Sequence, residues 1–143
     1  MILYLLGNKF HKWRLPLLPK ICDVLIRLIH NCAIYSETQI GEGTIFGYGG
    51  IAVVIHKRTV IGKNCIIGSN VTIGGRSRSI EVPVIGDDVY IATGAKILGA
   101  ITIGDNCIIG ANAVVLIDMP ANSMAVGVPA KIIKTDIDIS DFR

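Results

Sequence analysis

Residues 55–75, IHKRTVIGKNCIIGSNVTIGG, repeat with a period of six. An aliphatic residue occupies every sixth position: Ile55, Ile61, Ile67 and Ile73. Glycine follows each of these residues except the first, where His56 takes its place. A period of six does not match the turn of an α-helix, and the stretch is rich in glycine and β-branched residues. The pattern therefore predicts short strands joined by tight turns, with one wall and one corner in each hexad.

The six-residue phase continues on both sides of this stretch. It runs downstream through Ile85, Ile91, Ile97, Ile103, Ile109 and Val115, and upstream through Ile34, Ile40 and Phe46. Nine residues separate Phe46 from Ile55, a slip of three within GYGGIAVV, residues 47–54. Ser79 breaks the phase inside RSRSIEVP, residues 76–83, which predicts a loop that leaves the wall and returns. A fixed short period of this kind is typical of a solenoid.

The composition indicates a single folded domain with a core of small branched side chains. The chain has 143 residues, of which 51% are hydrophobic and only 6% aromatic, and this excludes a disordered chain. The net charge of +3 is concentrated in residues 1–30, which hold five Lys/Arg against one Asp. The repeat itself has no basic character, so we expect no nucleic-acid partner.

The four cysteines predict neither a zinc site nor a disulfide scaffold, because they form no CxxC pair and are widely spaced. Cys65 and Cys107 each fall four positions after a hexad aliphatic, where small buried residues belong. We expect both to be inert core thiols.

Residues 1–33 differ from the repeat, since their apolar residues recur at helical spacing. The clearest examples are Ile21, Val24, Leu25, Leu28 and Ile29. We predict a short helical cap over the open end of the solenoid. An alternative is weak peripheral membrane contact through residues 1–30, using Trp13 and the basic residues. The apolar run of this segment precedes its basic residues, which is not the order of a secretory signal. No run reaches the roughly 18 apolar residues of a membrane span. The expected location is therefore the cytoplasm.

From about Ile34 to Lys134 the chain resembles the hexapeptide-repeat acyltransferases, within their serine acetyltransferase-like branch. The resemblance is carried by YGGIAVVIHKRTVIG, NVTIGGRS, VPVIGDDVYIATGAKILG, ITIGDNCIIGANAVV and AVGVPAKII. It implies an all-β fold, a left-handed parallel β-helix with three hexads per coil, and a homotrimer that binds acetyl-CoA between neighbouring subunits. The expected division is a cap at 1–33, a β-helix acetyltransferase domain at 34–134, and a polar, loose tail at 135–143.

Three hexads per coil would stack four residues at one corner of the prism: His56, Gly74, Ala92 and Gly110. Such a column of small residues would expose backbone amides to the pantetheine arm of acetyl-CoA, with His56 at the thioester end. The predicted cofactor-binding residues along it are Gly74, Gly75, Thr93, Gly94 and Ala111. The cations expected to meet the CoA phosphates are Arg76, Arg78, Lys131 and Lys134.

His56 is the predicted catalytic residue, because a neutral imidazole is suited to take the proton of an attacking hydroxyl. Backbone N–H groups at Gly74 or Gly75 are candidates to stabilise the oxyanion of the tetrahedral intermediate. His11 and His30 lie outside the repeat and are expected to have no catalytic role. Direct transfer of the acetyl group in a ternary complex needs no covalent enzyme intermediate and no metal.

The acceptor is predicted to be a sugar hydroxyl in cell-surface polysaccharide synthesis, with L-serine as the close alternative. The serine-specific enzymes carry a histidine before the proline of the loop, where this chain has Glu81 and Val82, and a large helical domain before the solenoid. Their catalytic histidine also lies further upstream, near Tyr48 and Gly49. Two other classes stay open: a non-catalytic trimeric scaffold, and a zinc lyase, which would need several converging histidines.

Overall fold

The computed structural model describes residues 1–77 and 80–142 of the chain, and of residues 141 and 142 only the backbone. Helix α1 (Ile2–Lys12) and helix α2 (Leu18–His30) precede a solenoid of short strands. The strands are β1 (Gln39–Ile40), β2 (Ile45–Phe46), β3 (Val54–Ile55), β4 (Val60–Ile61), β5 (Ile66–Ile67), β6 (Thr72–Gly74), β7 (Val84–Ile85), β8 (Tyr90–Ile91), β9 (Lys96–Leu98), β10 (Thr102–Ile103), β11 (Ile108–Ile109), β12 (Val114–Val115), β13 (Met124–Gly127) and β14 (Ala130–Lys134). Short 3-10 segments span Gly47–Gly50 and Ile139–Phe142.

The strands form three parallel walls of a prism. Wall 1 contains β1, β4, β7 and β10, wall 2 contains β2, β5, β8, β11 and β13, and wall 3 contains β3, β6, β9 and β12. Strand β14 turns back and pairs antiparallel with β13 at the end of wall 2. We name the corner after each wall by the number of that wall. These features confirm the predicted fold class, a parallel β-helix with a short N-terminal helical cap.

The core of the prism consists of the hexad aliphatics stacked on one another. Ile55, Ile73, Ile97 and Val115 form one such column and are all fully buried. The predicted core thiols are also buried, since Cys65 and Cys107 have no exposed surface. Burial raises the pKa of the Cys65 thiol, which keeps this side chain in its unreactive protonated form.

Both predicted interruptions of the phase lie at corners. The slip of three forms the tight turn Gly47–Gly50 at corner 2, where Tyr48 and Gly49 have left-handed backbone angles. The loop at 76–83 leaves corner 3 between β6 and β7. Because of this loop, Ile73 pairs with Ile97 and not with Ile91. The first coil and the coil that contains the loop are therefore longer than three hexads.

The cap covers the first coil, as predicted. Tyr4 and Ile26 belong to the buried core, and the Tyr4 hydroxyl donates a hydrogen bond of 2.7 Å to the carbonyl oxygen of Thr38. Ala33 forms a parallel bridge with Val54 and so extends wall 3 by one position before β3. None of the described helices is long and apolar enough to cross a membrane.

The C-terminal segment differs from the prediction of a loose tail. The amide of Ile137 donates to the carbonyl oxygen of Asn122 at 3.0 Å, and the Ile139 side chain is buried. The two isoleucines alternate with aspartates in TDIDIS, so one face of this polar segment can pack against the last coil.

Candidate active site

His56 directly follows β3 and lies at corner 3, from which the loop departs. Its amide donates to the carbonyl oxygen of Ile73 in the next coil at 2.8 Å, and its own carbonyl accepts from the amide of Thr59 at 2.9 Å. These two bonds fix the backbone, and the side chain is partly exposed. The histidine in the glycine position therefore projects from a rigid turn.

The imidazole ring is oriented by the backbone two residues further on. The amide of Arg58 donates to Nδ1 of His56 at 3.2 Å. Since Nδ1 accepts, the neutral ring carries its proton on Nε2 in this arrangement. The guanidinium of Arg58 also hydrogen-bonds to the carbonyl oxygen of Ile80, so one residue contacts both the histidine and the loop.

The predicted column of four residues at one corner is wrong for its last two members, Ala92 and Gly110. The strand register places His56, Gly74, Leu98 and Leu116 at corner 3. Ala92 and Gly110 lie at corner 2, below Gly68. The loop occupies the length of one hexad without forming a wall, so the phase returns after it, but each later hexad lies one wall earlier than the count predicts.

Corner 3 holds one group of the predicted site residues: His56, Gly74, Gly75 and Arg76. A Cβ added to Gly74 would lie 4.0 Å from its nearest neighbour, Cβ of His56, so this position is open. A groove of about 310 Å³ continues downward between Arg76, Leu98, Gly99 and Leu116. Leucines therefore line the part of the groove where small residues were predicted.

Corner 2 holds the other group: Thr93, Gly94, Ala111 and Lys131. The side chain of Val126 packs beside Gly110 at this corner, and Lys131 is the strand partner of Val126. Thr93 and Ala111 are exposed, and the carbonyl of Thr93 accepts from the amide of Asn112 at 3.0 Å. Lys134, at the end of β14, pairs with Met124. Arg78 lies outside the described residues.

Two residues near His56 were missed by the sequence reasoning. Arg58 has no distinguishing pattern, because its role depends on a backbone amide and on contact with a loop. Tyr35 is placed beside His56 at corner 3 by the bridge between Ala33 and Val54. The phase of Ile34 predicts that position once the slip of three is counted. The hydroxyl of Tyr35 lies 3.5 Å from the guanidinium of Arg27.

The described residues contain no group of three or more His, Cys, Asp or Glu side chains arranged to hold a metal ion. The charges at this corner include Arg58, Arg76 and a half-exposed ion pair, with 3.3 Å between Nζ of Lys57 and the carboxylate of Glu37. This arrangement can offer a donor or acceptor nitrogen at His56 beside an open backbone turn, and cations for an anionic ligand.

Comparisons with known proteins identify the family of the chain. Residues 83–116 match the bacterial transferase hexapeptide (six repeats) family. The chain is 39% identical to the serine acetyltransferase of Helicobacter pylori strain J99 over 138 residues, which is 95% of this chain and 80% of that protein. It is 38% identical to the serine acetyltransferase of Staphylococcus xylosus over 93% of this chain and 62% of that one.

Solved structures give the same family. The serine acetyltransferase of Brucella abortus strain S19 in complex with coenzyme A has a TM-score of 0.88 at 29% identity, with 95% of this chain and 55% of that chain covered. A serine acetyltransferase in complex with cysteine has a TM-score of 0.86 at 31% identity, covering 94% of this chain and 52% of that one. The chain thus spans about half the length of these solved chains. It belongs to the serine acetyltransferase-like branch of the hexapeptide-repeat acyltransferases.

Proposed function

We propose that this chain is an acetyl-CoA-dependent O-acetyltransferase that uses L-serine as its acceptor. The similar proteins bear the name serine acetyltransferase, and one of them was solved with coenzyme A. They support serine over the sugar hydroxyl that the sequence first suggested. The observation that carries the reaction class is the position of His56, on a rigid corner beside the open turn at Gly74.

The separation of the site residues between two corners supports a homotrimer. Wall 3 separates corner 2 from corner 3 of the same prism, so the two groups of residues do not form one cleft within a subunit. In a three-fold assembly, corner 3 of one subunit can face corner 2 of its neighbour. His56, Gly75 and Arg76 would then hold the thioester end, and Thr93, Ala111 and Lys131 of the adjacent copy would complete the cleft.

In the proposed reaction, the serine hydroxyl oxygen attacks the thioester carbonyl carbon of acetyl-CoA. His56 takes the hydroxyl proton as the new C–O bond forms. The tetrahedral intermediate then collapses, the C–S bond breaks, and the imidazolium returns the proton to the leaving CoA sulfur. Backbone N–H groups at Gly74 or Gly75 would stabilise the oxyanion.

The hydrogen bond from Arg58 has a consequence for this role. With the proton on Nε2, Nδ1 is the only ring nitrogen that can accept a proton, and it already accepts the hydrogen bond from the Arg58 amide. The bond is long and solvent-exposed, so its release costs only about 1 kcal/mol. A base role therefore requires the ring to release this amide. The rival role for the same ring is donation from Nε2–H to the oxyanion, which requires the bond to stay.

Two substitutions separate these roles. If His56 is the base, His56→Ala and His56→Gln both lower kcat by roughly 10²–10⁴-fold, since an amide cannot take the proton. If the ring only donates from Nε2, the amide nitrogen of glutamine can replace it and His56→Gln keeps most of the activity. The measurement is thiol release from acetyl-CoA with L-serine present, with His11→Gln as the matched control.

Light scattering and calorimetry of CoA binding show whether both variants keep their assembly and affinity. Near-native turnover in both variants would contradict any catalytic role of His56. A monomer at micromolar concentration would contradict a site formed by corner 3 of one subunit and corner 2 of its neighbour.

A sugar hydroxyl stays the second candidate acceptor because of the loop. Glu81 and Val82 stand before Pro83, where the serine-specific enzymes carry a histidine. The same assay with L-serine and with a panel of hexoses decides between them. Faster thiol release with a hexose than with L-serine would overturn the serine proposal and leave the transfer chemistry intact.

A further inference from the structure

The cap exposes an apolar stripe along α2. Four of its residues recur at helical spacing with large exposed fractions: Leu17 at 68%, Ile21 at 53%, Val24 at 57% and Leu28 at 74%. Leu18, Leu25 and Ile29 extend the stripe sideways and are also exposed. Isolated exposed apolar residues are ordinary, but a contiguous patch marks an interaction site.

The opposite face of α2 is apolar as well, because Cys22 and Ile26 are buried against the rest of the protein. A helix that is apolar on both faces needs an apolar neighbour on each side. The first coil and α1 supply one neighbour. No described element covers the other face, and α1 adds Ile2, Leu5 and Leu6 to the exposed surface.

The charges around this surface are almost all positive. Residues 1–30 contain Lys9, Lys12, Arg14, Lys20 and Arg27. Asp23 is the one acidic residue, and its carboxylate accepts hydrogen bonds from the amide and the hydroxyl of Ser36. The surface therefore combines exposed aliphatic residues with a net positive charge.

Two further features match the interface of a bilayer. Trp13 is 59% exposed, with Nζ of Lys9 4.7 Å from its ring centroid, and tryptophan is enriched at membrane–water interfaces. Helix α2 has 13 residues, about 20 Å, which is shorter than the roughly 30 Å hydrocarbon core, so the helix can lie in the interface plane but cannot span the bilayer.

A second copy of the cap fits this surface poorly. Contact between two identical caps would bring the two sets of cations together, and like charges at an interface disfavour association. The remaining residues of the chain carry a net charge of only −1 and offer little attraction. Anionic lipid supplies both the apolar phase and the opposite charge.

We propose that α1 and α2 bind the surface of an anionic lipid bilayer through this stripe, and that the solenoid stays in the aqueous phase. Such a contact would hold the enzyme at the membrane without a spanning segment. The inference does not depend on the identity of the acceptor.

The experiment is co-sedimentation of the whole chain with vesicles. Vesicles that contain phosphatidylglycerol should bind the protein, and vesicles of phosphatidylcholine alone should bind it much more weakly. The double substitution Ile21→Ser and Leu28→Ser should lower the partition coefficient at least about tenfold, because two large apolar side chains no longer enter the interface. The double substitution Lys12→Glu and Lys20→Glu should lower it similarly, and added salt should weaken the native binding.

The matched control is Ile117→Ser with Val128→Ser, which removes two exposed apolar side chains of the solenoid and should leave vesicle binding unchanged. Thiol release in the absence of vesicles should stay within about twofold of native in the cap variants, which separates this test from that of the catalytic proposal. Equal binding to both kinds of vesicle would overturn the proposal, as would an unchanged partition in the cap variants. A higher-order assembly that Ile21→Ser with Leu28→Ser dissociates would instead identify a second copy as the occupant.

Discussion

The solenoid and the cap bury their apolar residues in different ways. In the solenoid, every hexad aliphatic from Ile55 to Val115 is at most 2% exposed. In the cap, Ile26 is fully buried, but twelve large apolar side chains are exposed, against nine in the rest of the described chain. A stacked coil gives each side chain neighbours above and below, whereas each cap helix has a neighbour on one side only. The repeat therefore completes its own core, and the cap does not.

The largest effect should come from truncating one isoleucine in each region. Ile73→Ala removes a fully buried side chain and should lower the free energy of unfolding by about 2–5 kcal/mol. Ile21→Ala, on the exposed stripe, should change it by less than about 0.5 kcal/mol. Urea unfolding at one fixed protein concentration measures both. Equal losses would mean that the stripe is buried against another molecule in solution.

A pair of glycines tests the solenoid corners. A Cβ added at Gly68 would lie 2.6 Å from the backbone nitrogen of Thr93, whereas at Gly74 its nearest neighbour is 4.0 Å away. We expect Gly68→Ala to lower the free energy of unfolding by about 1–3 kcal/mol, because the next coil must shift. Gly74→Ala should be nearly neutral for stability. Thermal unfolding of the two variants checks this, and the reverse order would show that corner 2 is looser than the geometry indicates.

The smallest effect concerns one of the hydrogen bonds that join the cap to the solenoid. Tyr4→Phe removes the hydrogen bond to Thr38 and should lower the free energy of unfolding by about 1 kcal/mol near neutral pH. Burial raises the pKa of Tyr4 to about 12 from the ordinary 10, so the folded state keeps the neutral phenol. The native protein should therefore lose stability as pH rises from about 10 towards 12, since the unfolded state ionises first.

Tyr4→Phe has no phenol to ionise, so its free energy of unfolding should not fall for this reason between pH 10 and 12. The free energies of unfolding of the native protein and the variant should therefore converge at high pH. Parallel curves from pH 9 to 12 would show that the phenol is open to solvent in solution.

The architecture of the solenoid follows from the sequence because burial depends on a strict period. The spacing of Ile55, Ile61 and Ile67 predicts the walls, and their phase places Cys65 in the core. The three-residue slip also appears where the sequence puts it, at Tyr48 and Gly49. These are local features, and each can be derived from a few neighbouring residues.

The assignment of the later hexads to walls could not be predicted by counting. A loop that occupies the length of one hexad restores the phase, so Ala92 occurs in the right phase but at the wrong corner. Only the pairing of Ile73 with Ile97 shows the change. The contact of the Arg58 amide with Nδ1 of His56 depends on a side-chain torsion, which a periodic pattern does not encode.

The cap was predicted in outline, because helical spacing indicates that α2 forms but not which face it buries. Both faces of α2 are apolar, so the pattern gives no single direction towards the core. The buried face is decided by Ile26 and by the hydrogen bond from Tyr4 to the first coil. The exposed stripe becomes visible only when these contacts are known.

The loop between Gly75 and Val84 joins two strands that each pair with the coil before and the coil after them: β6 pairs with β3 and β9, and β7 pairs with β4 and β10. Because these strands are paired on both sides, we expect them to keep their pairing when the loop has another length. We expect that a segment of different length or sequence can replace the loop while the core isoleucines keep their positions. The solenoid would then serve as a constant scaffold, and substrate preference could be changed by replacing the loop at a single corner.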